Sequence, residues 1–277
     1  MNAFVGEKMA IITNKPQTTR HRILGILSDD NFQIIFSDTP GVISDPHYKM
    51  QKAMNDAAFS IFEDADVVLF VTEPGDEFTG EEKVLDKIKN AKVPKILIIN
   101  KVDTSDPDTL KALEKRWSED IKFDQVHHIS ALLKMGTENL LNCIKTLLPE
   151  GPVYFPKDQL SDRSERFFIS EIIRENILKL YHQEIPYSTE VIVESFKESE
   201  KRGAPFVHIR AIIFVMRATQ KSIIIGKQGS SIKKLGIESR KQIENFLDKR
   251  IHLELFVKIK EKWRDDDRLL KSFGYLQ

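Results

Sequence analysis

Three short stretches carry residue types suited to holding a nucleotide. Asp38-Thr39-Pro40-Gly41 follows the apolar run 31–37, with Val42 next to it. A carboxylate at the carboxyl end of a strand can hold magnesium through water, and a neighbouring glycine can turn its amide toward a terminal phosphate. Asn100-Lys101-Val102-Asp103 ends a second apolar run. A carboxylate at Asp103 accepts from both the ring N–H and the exocyclic amine of guanine, a donor pair that adenine lacks. Each such charge-assisted bond contributes about 1.5–3 kcal/mol in a dry site. Ser130-Ala131 ends a third run and offers a backbone amide to the guanine carbonyl oxygen. A lone D-x-x-G reads as a simple loop. The order of the three stretches, about 60 and about 30 residues apart, gives them weight together.

A different chemistry lies further along, at Ile223-Ile224-Ile225-Gly226-Lys227-Gln228-Gly229-Ser230. A lone G-x-x-G is usually a tight turn. Set between apolar residues and a basic helix, it becomes the loop by which a KH domain clamps about four nucleotides. Lys227 can meet a phosphate, and the amides that open the next helix add positive potential. Ile232, Leu235, Ile243, Phe246 and Leu247 then form a buried stripe, leaving Lys233, Lys234, Arg240 and Lys241 on other faces. Phe206, Phe214 and Phe256 suit a core as well as base stacking.

The elements that must position these residues alternate in the first half. Strands are expected at 31–37, 66–72, 95–100 and 126–130, with helices at 51–64, 81–90, 108–117 and 137–148. Wholly apolar strands separated by helices predict a mostly parallel sheet covered on both faces, an α/β doubly wound domain over 1–150. The stretch 149–156 holds three prolines and a glycine and opens a linker over 151–165. Beyond it, 166–182 has helical periodicity, with Ile169, Ile172, Ile173, Ile177 and Leu180 on one stripe. Segments 207–213 and 251–259 alternate with period two, as strands with one buried and one wet face do. The order helix–strand–strand–helix–G-x-x-G–helix–strand is that of an α+β type II KH domain, here over 166–277.

The charge is divided in the same way. The chain of 277 residues has 42 basic and 42 acidic side chains. Between Lys201 and Arg264, however, sixteen Lys/Arg face five Asp/Glu. Such asymmetry suits a polyanion-binding module joined to a neutral or acidic partner domain. The single cysteine, Cys143, excludes a disulfide framework and reads as packing. No run of about 18 apolar residues is present to span a bilayer. His127-His128 reads as structural.

The three strand-end motifs resemble those of the translation-factor-like GTPases. With Gln17-Thr18-Thr19-Arg20-His21 and the type II KH pattern, the whole chain resembles the Era family of GTPases. Glu184-Ile185-Pro186-Tyr187, the run 251–255 and the ending Ser272-Phe273-Gly274-Tyr275 extend the likeness. It implies GTP/GDP binding with Mg2+ and hydrolysis of GTP to GDP. It assigns nucleotide contacts to residues 38–42, 100–103 and 130–131. Asp38 and either Thr18 or Thr19 would serve magnesium, the choice between the threonines staying open; read without the resemblance, their stretch is a polar loop with a helix cap. Residues 226–229, Lys233 and Lys234 would serve RNA. It further implies binding of 16S ribosomal RNA near its 3′ end and a nucleotide switch in maturation of the 30S subunit. The expected setting is a cytoplasmic monomer with peripheral association at the cell membrane.

One departure stands out. The family's G-x-x-x-x-G-K-[ST] loop, whose amides surround the phosphates, occurs nowhere in the sequence. Met1–Lys8 reads as the helix that should follow it, so the chain is expected to begin just after the first strand and this P-loop. That strand is central to such a sheet, and its loss would leave two neighbours with unpaired ladders. The chain as printed is therefore expected to be impaired in GTP binding and hydrolysis. Val42 stands where Ras-type enzymes carry the glutamine that orients the attacking water, which implies slow intrinsic turnover. Two other readings keep the sequence in view: a nucleotide-independent RNA-binding protein with a GTPase scaffold, and a fragment of a Der-like assembly GTPase.

Overall fold

A computed structural model of the chain describes residues 1–13, 15, 18–76, 82–201 and 203–276. These divide into two units. The first is formed by Met1–Met9, Arg22–Pro46 and Met54–Asp162, the second by Ala10–His21, His47–Ala53 and Arg163–Gln277. Gln17 and Glu81, which the sequence places in a motif and at a helix start, lie outside the described residues.

The first unit runs α1 (Asn2–Val5), β1 (Ile23–Ser28), β2 (Gln33–Asp38), most of α2 (Lys49–Phe59), α3 (Ile61–Asp64), β3 (Val68–Thr72), α4 (Glu82–Asn90), β4 (Lys95–Ile99), α5 (Pro107–Asp120), β5 (Gln125–His128) and α6 (Thr137–Leu147). β3, β4 and β5 form a parallel sheet in that order. β4 is its centre, which explains its unbroken apolar sequence. Ile96 and Ile98 face a core with Ile129, Leu140 and Ile144, while Leu97 and Ile99 face Phe70, Ile88, Leu110 and Trp117 on the other side. Asp106 starts α5 by accepting from the amides of Asp108 and Thr109, ahead of Pro107 at the first turn.

β1 was not legible in the sequence. It pairs antiparallel with β2 from Ile23↔Asp38 to Ser28↔Gln33, through a turn closed by the Asp29 amide on the Phe32 carbonyl. Its Gly25 interrupts the apolar pattern because α1 lies against it: an added Cβ would sit 2.7 Å from the Met1 sulfur. The two-stranded ladder shares its core with the parallel sheet through Ile34 and Phe36, and Phe4 stacks on Phe36 at 5.1 Å. Yet β2 and β3 do not pair, and each keeps an edge without a ladder partner among the described residues. The expected helix at 51–64 is also two pieces, α2 and α3, separated at Ser60.

The second unit contains α7 (Glu165–Leu180), β6 (Glu190–Lys201), β7 (Ala204–Val215), α8 (Ala218–Ile225), α9 (Ser230–Leu247), β8 (Arg250–Ile259) and α10 (Asp267–Ser272). Its sheet has the order β6-β7-β8, antiparallel then parallel. α7, α8 and α9 cover one face: Ile169, Ile173, Ile177, Ile224, Leu235 and Ile243 pack on Val207, Ile209, Ile213, Ile251 and Val257. β8 alternates between buried and wet as expected, but β7 does so only in its first half. From Ala211 to Val215 it is buried on both faces, because Phe273 stacks on Phe214 at 5.4 Å and Trp263 meets Phe273 edge-on.

Candidate nucleotide and RNA sites

The carboxyl ends of β4 and β5 bring the guanine-type residues together. The Asn100 amide donates to the Thr72 carbonyl at 2.8 Å, continuing the ladder by one residue. Its side chain turns sideways, and Asn100 Oδ1 accepts from the Ala131 amide at 3.0 Å. This bond fixes the second and third motifs to each other. Lys101 adopts φ 60°, a left-handed turn that ends the strand direction, and its Nζ meets Glu73 at 2.5 Å. Val102 donates to the Ile129 carbonyl at 3.2 Å, so the turn lies against the end of β5. Asp103 sits exposed in the single helical turn Val102–Thr104, its carboxylate open to a planar donor pair.

Ser130 is fully buried and exchanges two 3.0 Å backbone bonds with Met135; its hydroxyl accepts from the Leu133 amide at 3.2 Å. Gly136 closes this loop at φ 70°, where a Cβ would meet the His128 carbonyl at 2.6 Å. Ala131 is thus presented by a loop held through Ser130, Leu133 and Met135. His128 bonds Glu114 at 3.0 Å, and burial, then His128, lowers the pKa of His127. Both histidines behave as sheet-end structure.

Asp38 is the last residue of β2, with Thr39 half-buried, Pro40 buried, Gly41 exposed and Val42 half-buried after it. The magnesium candidates Thr18 and Thr19 belong instead to the second unit. There the Thr18 hydroxyl donates to the Lys15 carbonyl at 2.5 Å, and its own carbonyl accepts from Arg174 at 2.5 Å. Of their described neighbours, Lys15 is half-buried and Arg20 and His21 are buried. Lys15 Nζ caps the last turn of α7 through the carbonyls of Leu178 and Tyr181, the latter at 2.8 Å. Arg20, only 3% exposed, donates to the carbonyls of Thr189 at 2.7 Å and Pro186 at 2.9 Å and lies 3.4 Å from Glu190. Tyr275 donates to the same carboxylate at 2.6 Å. Burial pushes the Glu190 carboxyl up, with Arg20 and the Tyr275 bond opposing. Burial holds His21 down at about 4, with Glu171 opposing and Arg174, Arg163 and Arg20 reinforcing. Arg20 and His21 therefore do not belong to a solvated loop. The pattern of a polar stretch concealed this, because its partners are more than 140 residues away.

The G-x-x-G loop joins α8 to α9. Gly226 has φ 73° and ψ 173°, a region open only to glycine, and an added Cβ would meet Ser231 Oγ at 2.2 Å. Gln228 at φ 52° and Gly229 at φ 78° complete the bend, closed by the Gly229 amide on the Gly226 carbonyl at 3.1 Å. Tyr181 anchors the approach, donating to the Ile224 carbonyl at 2.8 Å. Lys227 and Gln228 are exposed, as are Lys233 and Lys234 on the first turn of α9. No side chain caps that helix start, which leaves its amides available to a phosphate.

Strands ending in D-x-x-G, N-K-x-D and S-A stretches, followed by a type II KH fold, define a GTPase-type protein with an RNA-binding module. Over 275 residues the chain is 43% identical to GTPase Era of Lactobacillus helveticus (strain DPC 4571), covering 99% of this chain and 90% of that one. It belongs to the Era family of GTPases. GTPase Era of Geotalea daltonii (strain DSM 22248 / JCM 15807 / FRC-32) is also 43% identical, over 99% of this chain and 92% of its own. Residues 1–101 match the 50S ribosome-binding GTPase family, and residues 184–264 the KH domain. Two solved structures share the fold at a TM-score of 0.92 and 32% identity, across 100% of this chain and 93% of theirs. They are Aquifex aeolicus Era bound to GDP·AlF4−, and Era in complex with MgGDPNP and nucleotides 1506–1542 of 16S ribosomal RNA.

Proposed function

We propose that the chain is a guanine-nucleotide-responsive RNA-binding protein of small-subunit ribosome assembly. Its KH unit binds 16S ribosomal RNA near the 3′ end, and the nucleotide on the first unit governs that binding. The carrying observation is the Asn100–Ala131 bond, which joins two guanine-type motifs in a chain that also builds the Gly226–Gly229 clamp. The Era–RNA complex supports the same assignment.

The first unit's residues fit the base end of a guanine nucleotide. Asp103 would accept from the base edge, while the Ala131 amide is already held by Asn100 Oδ1 and is not assigned to the guanine carbonyl. Asp38, at the end of β2, is the first unit's residue assigned to magnesium, which neutralises phosphate charge when bound. The phosphate end is different: no segment of the sequence has the G-x-x-x-x-G-K-[ST] pattern that would surround it. No hydrolytic step is therefore assigned to these residues, and Val42 offers the attacking water no hydrogen bond. The same reading places the protein in the cytoplasm as a monomer, acting on the 30S subunit, with peripheral attachment to the membrane.

The test is anisotropy of a labelled single strand matching the 3′ end of 16S ribosomal RNA, with no nucleotide, GDP or GDPNP. Affinity should differ about fivefold or more between nucleotide states, the range of ordinary allosteric coupling. Equal affinity in all three would favour nucleotide-independent RNA binding. No RNA binding in any of them would defeat the proposal.

A further inference from the structure

We infer that the open face of the second unit's sheet is a second RNA-binding surface, a stacking platform for single-stranded bases. The inference rests on the reading of this unit as an RNA binder. It concerns the face opposite to α7, α8 and α9, which the G-x-x-G loop does not use.

Strand register decides which residues share this face. Ser199, Phe206 and Arg250 lie side by side, then Lys197, His208 and His252, then Ser195, Arg210 and Glu254, then Ile212 and Phe256. A wet sheet face is usually lined by short polar and charged side chains. Here four rings follow one another. Phe206 meets His208 edge-on at 5.0 Å, and His208 meets His252 across the strands at 5.8 Å. Arg210 lies 5.1 Å from the Phe256 ring, and Lys201 lies 4.9 Å from that of Phe206. Phe256, His208 and His252 are exposed, with Phe256 at 43%. Phe273 covers this face at its Phe214 end.

The surrounding charge selects the occupant. Lys197, Lys201, Arg210, Arg250 and Lys258 stand on the face against two glutamates. Glu254 is held by Arg210 at 3.4 Å, and Glu194 lies 3.6 Å from Lys258 and 3.9 Å from Arg210. Rings that stack bases, guanidinium planes that do the same and a surplus of cations for phosphates are what single-stranded RNA requires. β8 also connects the two surfaces. Its Leu253 and Leu255 pack under the helices that carry the clamp, while His252 and Phe256 face the platform. An RNA strand leaving the clamp need only pass this edge strand to reach the rings.

The experiment compares a five-nucleotide and a fifteen-nucleotide RNA, both binding to the full chain, by anisotropy. The variants are His208→Ala/His252→Ala, the single Phe256→Ser, the ring-preserving His208→Tyr/His252→Tyr, and Lys227→Ala in the clamp. The double alanine variant should bind the long RNA about tenfold more weakly or worse, bind the short one as wild type does, and recover with tyrosines. Phe256→Ser, at an exposed position, should weaken the long RNA alone. Unchanged long-RNA affinity in both variants, with Lys227→Ala still weakening it, overturns the platform and leaves the clamp standing. Equal loss on both RNAs overturns it too, as a general effect on the fold. Loss from the ring variants with no effect of Lys227→Ala supports the platform and sinks the clamp.

Discussion

Replacing Arg20 by alanine should destabilise the second unit by about 3–5 kcal/mol, the cost of breaking a buried ion pair from one side. The structure indicates why the loss belongs in that range. Arg20 supplies donors to two carbonyls, Thr189 and Pro186, that sit with it in the interior. It is also the cation nearest Glu190, itself 5% exposed. After truncation the carboxylate keeps Tyr275, the Val191 amide and the weaker influence of Arg174, but loses its nearest countercharge. Burial already raises the Glu190 pKa, and losing Arg20 removes the largest opposing influence. A carboxyl whose folded pKa is raised contributes its stability below the unfolded value and loses it as pH rises through the folded value. The penalty of Arg20→Ala should therefore be full at neutral pH and shrink as the pH falls toward the usual carboxyl range. Urea unfolding is the assay, followed by Trp263 fluorescence in a Trp117→Phe background, since Trp117 lies in the first unit and Trp263 in the second. Adding Glu190→Gln should restore part of the loss at neutral pH. A penalty below about 1 kcal/mol, the size of an exposed pair, or one that does not vary with pH, would refute the reasoning.

Two further outcomes follow from the same unit. His21 is held at about 4 against an ordinary 6.5, so between those values only the unfolded chain binds the proton. Stability should be full above pH 6.5 and fall by about 3 kcal/mol on acidification to pH 4. His21→Phe should remove that portion of the slope in urea titrations at several pH values. Gly226→Ala should weaken RNA binding by about tenfold or more, because the backbone region is closed to alanine and the Cβ would strike Ser231. Gly229→Ala, with nothing near the added methyl, should cost only the left-handed backbone strain of about 1–2 kcal/mol.

The parallel sheet was legible because β4 is apolar at every position from Ile96 to Ile99, a pattern that only a doubly covered strand produces. The type II KH order was equally clear, since α7 and β8 carry clean periods and Gly226 has no other reason to stand beside Ser231. β1 escaped notice because Gly25, required by the close approach of Met1, breaks its pattern. The guanine-type residues announced themselves by position at strand ends, but the bond that unites them, Asn100 to the Ala131 amide, joins residues far apart in sequence. The burial of Arg20 and His21 was invisible for the same reason. Their types suggest a wet loop, and only Glu190, Tyr275 and Phe167, brought in by the fold, make an interior for them.

Guanine selectivity is tested most directly with a probe that needs no phosphate cradle. GMP and AMP would be titrated into the 15N-labelled chain, with backbone amides followed by NMR. GMP should shift the amides of Asn100–Asp103 and Ser130–Ala131, and AMP should leave them in place. Asp103→Asn should exchange the preference from GMP to XMP, because the amide can donate to the xanthine carbonyl where the carboxylate accepted from the guanine amine. Equal shifts with GMP and AMP, or an unaltered GMP response in Asp103→Asn, would contradict the assignment of these strand ends to guanine.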